Sequence, residues 1–131
     1  MPELRAFDYA VVRVVPRVER EEFMNAGVIL FCRTARFLEA RIELDAQRFA
    51  HFAPFLDSAE VQRHLKIIPA ICAGDPAAGP IAQLPLAGRF HWLVAPRSTL
   101  IQPSPVHSGL CSDPAGTLEH LLESMVQLPR Q

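Results

Sequence analysis

Residues Tyr9 to Ile42 constrain this chain more than any other stretch. They read YAVVRVVPRVEREEFMNAGVILFCRTARFLEARI. An apolar run is followed by an acidic loop closing on Asn25-Ala26-Gly27, then by a second apolar run, then by a third that alternates. Tyr9–Val15 carries apolar residues on both alternating faces, which predicts a central strand with Arg13 as its exception. Pro16 ends it, because proline has no N–H to give a ladder. Gly27–Cys32 is a continuous apolar run of strand length and predicts a second buried strand. Phe37–Leu44 alternates, with Leu38, Ala40, Ile42 and Leu44 inward and Glu39, Arg41 and Glu43 outward, as expected of an antiparallel meander with one wet face.

The middle and last thirds predict helices around this core. Asp45 is placed to cap a short helix through Phe52. Asp57 and Glu60 open a longer one with Val61, Leu65, Ile68 and Cys72 on one face, broadened by Ile67 and Ile71. Pro69 is expected to kink that helix or to end its regular part near Lys66. Residues 73–85 are a Gly/Pro-rich connection. Arg89–Ala95 (RFHWLVA) reads as a fourth strand and Thr99–Gln102 as a short fifth. Asp113 as N-cap and Pro114 at the first helical position begin a terminal helix, in which Leu118, Leu121, Leu122, Met125 and Val126 follow helical spacing to about Gln127. The expected fold is α+β: a mainly antiparallel sheet of about five strands with two main helices packed on it, in a single domain over residues 1–131.

Composition narrows the function classes. A chain of 131 residues with 50% hydrophobic content buries enough surface to need neither metal nor disulfide. The net charge of −1 gives the whole molecule no electrostatic reason to seek nucleic acid or an anionic membrane. Twelve of its 13 basic residues are arginine, so a local basic patch stays open. Cys32, Cys72 and Cys111 are odd in number and far apart, which favours free thiols in a reducing compartment. The first ten residues lack a secretion signal, and no apolar run reaches the about 18 residues of a membrane span. A cytoplasmic location is expected.

The signature Tyr9…Arg13-Val14-Val15-Pro16, then Glu22-Phe23-Met24-Asn25-Ala26-Gly27-Val28-Ile29-Leu30, resembles the start of a bacterial family of unknown function, number 3037 among the domains of unknown function. Trp92-Leu93, Pro96-Arg97-Ser98, Ser104-Pro105…His107-Ser108-Gly109…Asp113-Pro114 and the leucine-rich end are similar to its second half. Ala26 stands where a valine is expected in that pattern, and residues 45–88 carry no hallmark of it. The resemblance implies a gene often found beside a HipA-type kinase-like protein. It implies no catalytic residue and no cofactor.

Candidate chemistry gathers in two places. Glu19, Glu21 and Glu22 with Asn25 offer oxygen ligands to a hard cation, or else form a solvated acidic loop with Asn25 in a tight turn. A narrower reading pairs Glu22 with Arg13. Arg89, Arg97, Ser98, Ser104, His107 and Ser108 supply donors that suit a phosphate or carboxylate, or a polar loop held by turn and capping bonds. His107 and Cys111 alone are too few for a zinc site. No GxSxG, GxxxxGK[ST] or GxGxxG motif occurs, and a metal role is not expected. The leading expectation is a non-catalytic interaction module that binds a protein, either a second copy or the kinase-like neighbour. Its motive is an apolar surplus on Tyr9–Val15. The alternative is a small-molecule or phosphate-binding enzyme using the Arg97, Ser98 and His107 loops. Nucleic-acid binding ranks third. The low-order site set is Arg13, Glu22, Asn25, Arg97, Ser98 and His107.

Overall fold

The fold is known from a computed structural model, which describes residues 3–127. Strands β1 (Arg5–Val14) and β2 (Met24–Cys32) form an antiparallel hairpin. A 3-10 turn at Val18–Arg20 joins them, closed by Glu21 at φ 55°. Strand β3 (Phe37–Ile42) returns beside β2. On its other side β1 pairs with two short strands lying end to end, β4 (Ile101–Pro103) and β5 (His107–Cys111). All pairings are antiparallel, in the order β3-β2-β1-β4 with β5 also on β1. Both long apolar runs are therefore central strands, which explains why neither has a wet face.

Two irregularities shape the sheet. Val12 faces Gly27 but Arg13 faces Asn25, so Ala26 is an extra residue in β2, a bulge. Its carbonyl accepts from the Glu43 N–H at 2.8 Å. Ser104 fills the break between β4 and β5. Its N–H donates to the Val11 carbonyl, and its Oγ accepts from the Val11 N–H, each at 2.8 Å.

Helices cover both faces, giving three layers. On one side lie α1 (Ala46–Phe52), α2 (Ser58–Cys72) and α3 (Leu86–Leu93). They bury Phe49, Val61, Leu65 and Phe90 against Val12, Val14, Ile29 and Phe31, with the Phe31 and Phe90 rings stacked at 5.1 Å. On the other side α4 (Pro114–Met125) sets Leu118, Leu121 and Leu122 on Phe7, Val28 and Leu30. The long helices are α2 and α4; α1 and α3 are short. Asp45 caps α1 through the Arg48 N–H, and Asp57 caps α2 through the Ala59 N–H.

Three expectations need correction. Arg89–Ala95 is not a strand: residues up to Leu93 belong to α3. Phe90 and Leu93 are buried while His91 and Trp92 face out, which is the spacing of a helix. Helix α2 does not end near Lys66 but runs through Pro69 to Cys72. Proline removes the N–H that would meet the Leu65 carbonyl. Burial of Ile71 and Cys72 beyond it, and the Arg89 guanidinium donating to the Cys72 carbonyl at 2.9 Å, hold the last turn in place. Asp113 does occupy the N-cap of α4 with Pro114 following, as expected, though without a side-chain capping bond. Its carbonyl takes the Thr117 N–H and hydroxyl instead. Finally, residues 107–111 form β5 rather than a loop.

Candidate functional site

The bulge at Ala26 turns Arg13 and Asn25 into cross-strand neighbours beside the carboxyl end of α4. Asn25 Nδ2 donates to the Met125 carbonyl at 2.9 Å, satisfying one of the carbonyls a helix leaves open at its end. The Arg13 guanidinium lies 4.0 Å from the centre of the Phe23 ring. Arg13 Nε and Asn25 Oδ1 are both buried with no hydrogen-bond partner among the described residues. Glu22 is not the partner of Arg13. It pairs at 2.6 Å with Arg20, two residues away in the turn, which is the shorter reach. Glu19, Glu21 and Glu22 are exposed. Among the described residues no three His, Cys, Asp or Glu side chains converge on one point.

His107 stands opposite Tyr9, their rings 5.4 Å apart, on the side of the sheet that α4 covers. Ser108 donates to Asp8. Arg97 lies on the other side, in the layer of α2 and α3. Its guanidinium is 4.2 Å from the centre of the Trp92 ring and donates to the Trp92 carbonyl. Partial burial lowers its pKa from the ordinary value. The sheet thus separates Arg97 from His107, and Ser98 is exposed. Arg89 serves the fold, donating to the carbonyls of Leu84 and Cys72. Ser104 is also structural: it accepts from Val11 and donates to the Pro105 carbonyl.

Arg97 belongs to a groove of about 360 Å³. Its walls are Ile67 and Ile71 of α2, Trp92 of α3, and Ile101 of β4. Ile67 is 47% exposed and Trp92 40%, so a continuous apolar strip reaches the surface with a guanidinium at its rim. The sequence reading missed Ile67 and Trp92 as surface residues. Placing Trp92 in a strand consigned it to the core. The signal available was its spacing of two from Phe90, which on a helix sends the two rings to different sides.

The three cysteines are free and buried. Burial pushes the Cys72 thiol up to about 12, against a smaller opposing pull from Arg89. That thiol is inert as a nucleophile at neutral pH.

No curated protein and no solved structure matches the chain. The model of the family described as a protein of unknown function, DUF3037, matches residues 9–126. With the paired Arg13 and Asn25, the Trp92 and Arg97 groove and the Asp113-Pro114 helix start all inside that span, the chain belongs to this family.

Proposed function

We propose that the chain is a non-catalytic protein-interaction module that works through the groove between α2, α3 and β4. The observation that supports this is the exposure of Ile67 and Trp92 on an apolar strip with Arg97 stacked on the indole. Tryptophan and arginine are the residue types that dominate binding energy at protein interfaces. The earlier motive, an apolar surplus on β1, lends no support, because helices of this same chain cover β1 on both faces. A pocket joining Arg97, Ser98 and His107 loses support too, since the sheet stands between the first and the last.

The proposed partners are a second copy of the chain and a HipA-type kinase-like protein, in the cytoplasm. Three free buried thiols support a reducing setting. Among the described residues no helix is long and apolar enough to cross a membrane.

Light scattering at micromolar concentration, together with a pull-down against the kinase-like protein, tests the reading. A dimer or a retained complex that is lost in Ile67→Glu upholds it. A monomer that retains nothing defeats it.

A further inference from the structure

Charge is unevenly distributed along this chain, and the uneven part builds the groove. From Val61 to Ser112 the sequence carries Arg63, Lys66, Arg89 and Arg97 against a single acid, Asp75. The whole chain is nonetheless net negative. Helix α3, strand β4 and all of α2 after its first turn lie within that stretch; Glu60 and the cap Asp57 precede it. The groove walls contain His64 and Arg97 and no carboxylate. Arg63 and Lys66 are exposed on α2, both before Ile67 and outside the groove lining. Arg89 is occupied by two carbonyls.

Among the described residues Arg97 makes no ion pair. Glu60, one turn before His64, reaches only the imidazole, at 4.0 Å. An apolar floor with one guanidinium and no carboxylate at its rim complements an occupant that is apolar and carries the opposite charge. Arg97 lies over the Trp92 ring and donates to the Trp92 carbonyl, so its guanidinium is positioned before anything binds, which lowers the entropy cost of pairing it with a carboxylate.

We infer that the groove docks an acidic, leucine-rich segment of a partner protein, with aliphatic side chains on Ile67, Ile71 and Trp92 and a glutamate or aspartate carboxylate on Arg97. This rests on the interaction reading above and names the chemistry of the partner.

The probe is an acetylated eight-residue peptide alternating leucine with glutamate, compared with its glutamine and lysine counterparts. Trp92 is the single tryptophan, so its emission reports on this groove alone. The glutamate peptide is expected to shift that emission saturably. The glutamine peptide should bind about tenfold more weakly, the difference a charge-assisted bond makes, and the lysine peptide more weakly still. Arg97→Gln should bring the glutamate peptide down to the affinity of the glutamine one. Ile67→Gln, which removes apolar surface without adding charge, should weaken all three, with circular dichroism unchanged in both variants.

Equal binding of the glutamate and glutamine peptides, a preference for lysine, or no emission change with any peptide overturns the inference. If the whole protein still associates in light scattering or pull-down, the interaction reading stands and only the partner chemistry falls. If it does not, the interaction reading fails on its own terms.

Discussion

Arg13 and Asn25 face each other across β1 and β2, and each buries a polar atom that meets no partner among the described residues: Nε on the arginine, Oδ1 on the asparagine. The bulge at Ala26 puts them there, and the amide of Asn25 is spent on the Met125 carbonyl. The two residues carry different stability. Asn25→Ala removes a bond that ties α4 to the hairpin and should cost about 1 kcal/mol. Arg13→Met keeps an apolar stem under Phe23 and removes an unpartnered buried N–H, so it should change stability by less than about 0.5 kcal/mol. Urea unfolding of the two variants measures both. A loss in Arg13→Met as large as in Asn25→Ala would mean that the guanidinium, through Phe23 or through a partner of Nε, carries stability of its own.

Ser104 is the peg that lets two short strands share one edge of β1. It is buried, and its hydroxyl both accepts from the Val11 N–H and donates to the Pro105 carbonyl. Ser104→Ala leaves a buried backbone N–H unsatisfied, at a cost of about 1–3 kcal/mol. The effect should appear as a lower urea midpoint with an unchanged slope. Amide exchange at Val11 should quicken before the rest of β1. Uniform protection along β1 in the variant would show that the peg is dispensable.

The elements legible in the sequence were those whose own side chains dictate them. Strand β3 and helix α4 each bury one face, so the period is written in their residues, and β2 is an unbroken apolar run buried on both faces. In β1 the run from Tyr9 was legible and the start at Arg5 was not. That half is set by pairing with β5 on one side and β2 on the other rather than by apolar content. Strand β5 was invisible for the same reason: His107, Ser108 and Leu110 are exposed, and only backbone bonds to β1 define it. Helix α3 was misread because Phe90, Trp92 and Val94 alternate and favour strands. A short apolar run does not distinguish strand from helix by pattern alone. Losing α3 lost the site as well. On a strand Trp92 shares a face with Phe90 and is buried, whereas on the helix it turns outward and supplies a shelf for Arg97.

Gly27 is required by space. It sits in β2 between β1 and β3, and a Cβ there would come within 2.6 Å of the Arg41 carbonyl and of the Ile42 side chain. The backbone contact has no flexible end to move aside. Gly27→Ala should therefore separate β2 from β3 locally and destabilise the protein by about 1–3 kcal/mol. Gly79→Ala is the contrasting variant. Its Cβ meets nothing within 4 Å, and its cost comes from a φ of +94° alone. Thermal unfolding of Gly27→Ala should be accompanied by faster exchange at Glu43, whose N–H bridges to the Ala26 carbonyl beside it. Slower or unchanged exchange there would refute the steric account.

Cys72 gives the protein a stability that depends on alkaline pH. Its thiol ionises near 9.0 when free and only at about 12 in the folded chain, chiefly because burial penalises the thiolate. Between those values the unfolded state has lost a proton that the folded state keeps. Fewer protons bound in the unfolded state means that stability falls as pH rises. The contribution is fully present below pH 9 and disappears by about pH 12, with a slope of at most about 1.4 kcal/mol per pH unit. Cys72→Ala also leaves a small void, so absolute stabilities are the wrong comparison. The difference between wild type and variant as pH rises is the right one, because every other group is common to both. Urea unfolding at pH 8, 9, 10 and 11 should show wild type losing stability faster than Cys72→Ala above pH 9 and in parallel with it below. Parallel lines across the whole range would place the folded thiol near its free value and remove burial as the controlling influence on it.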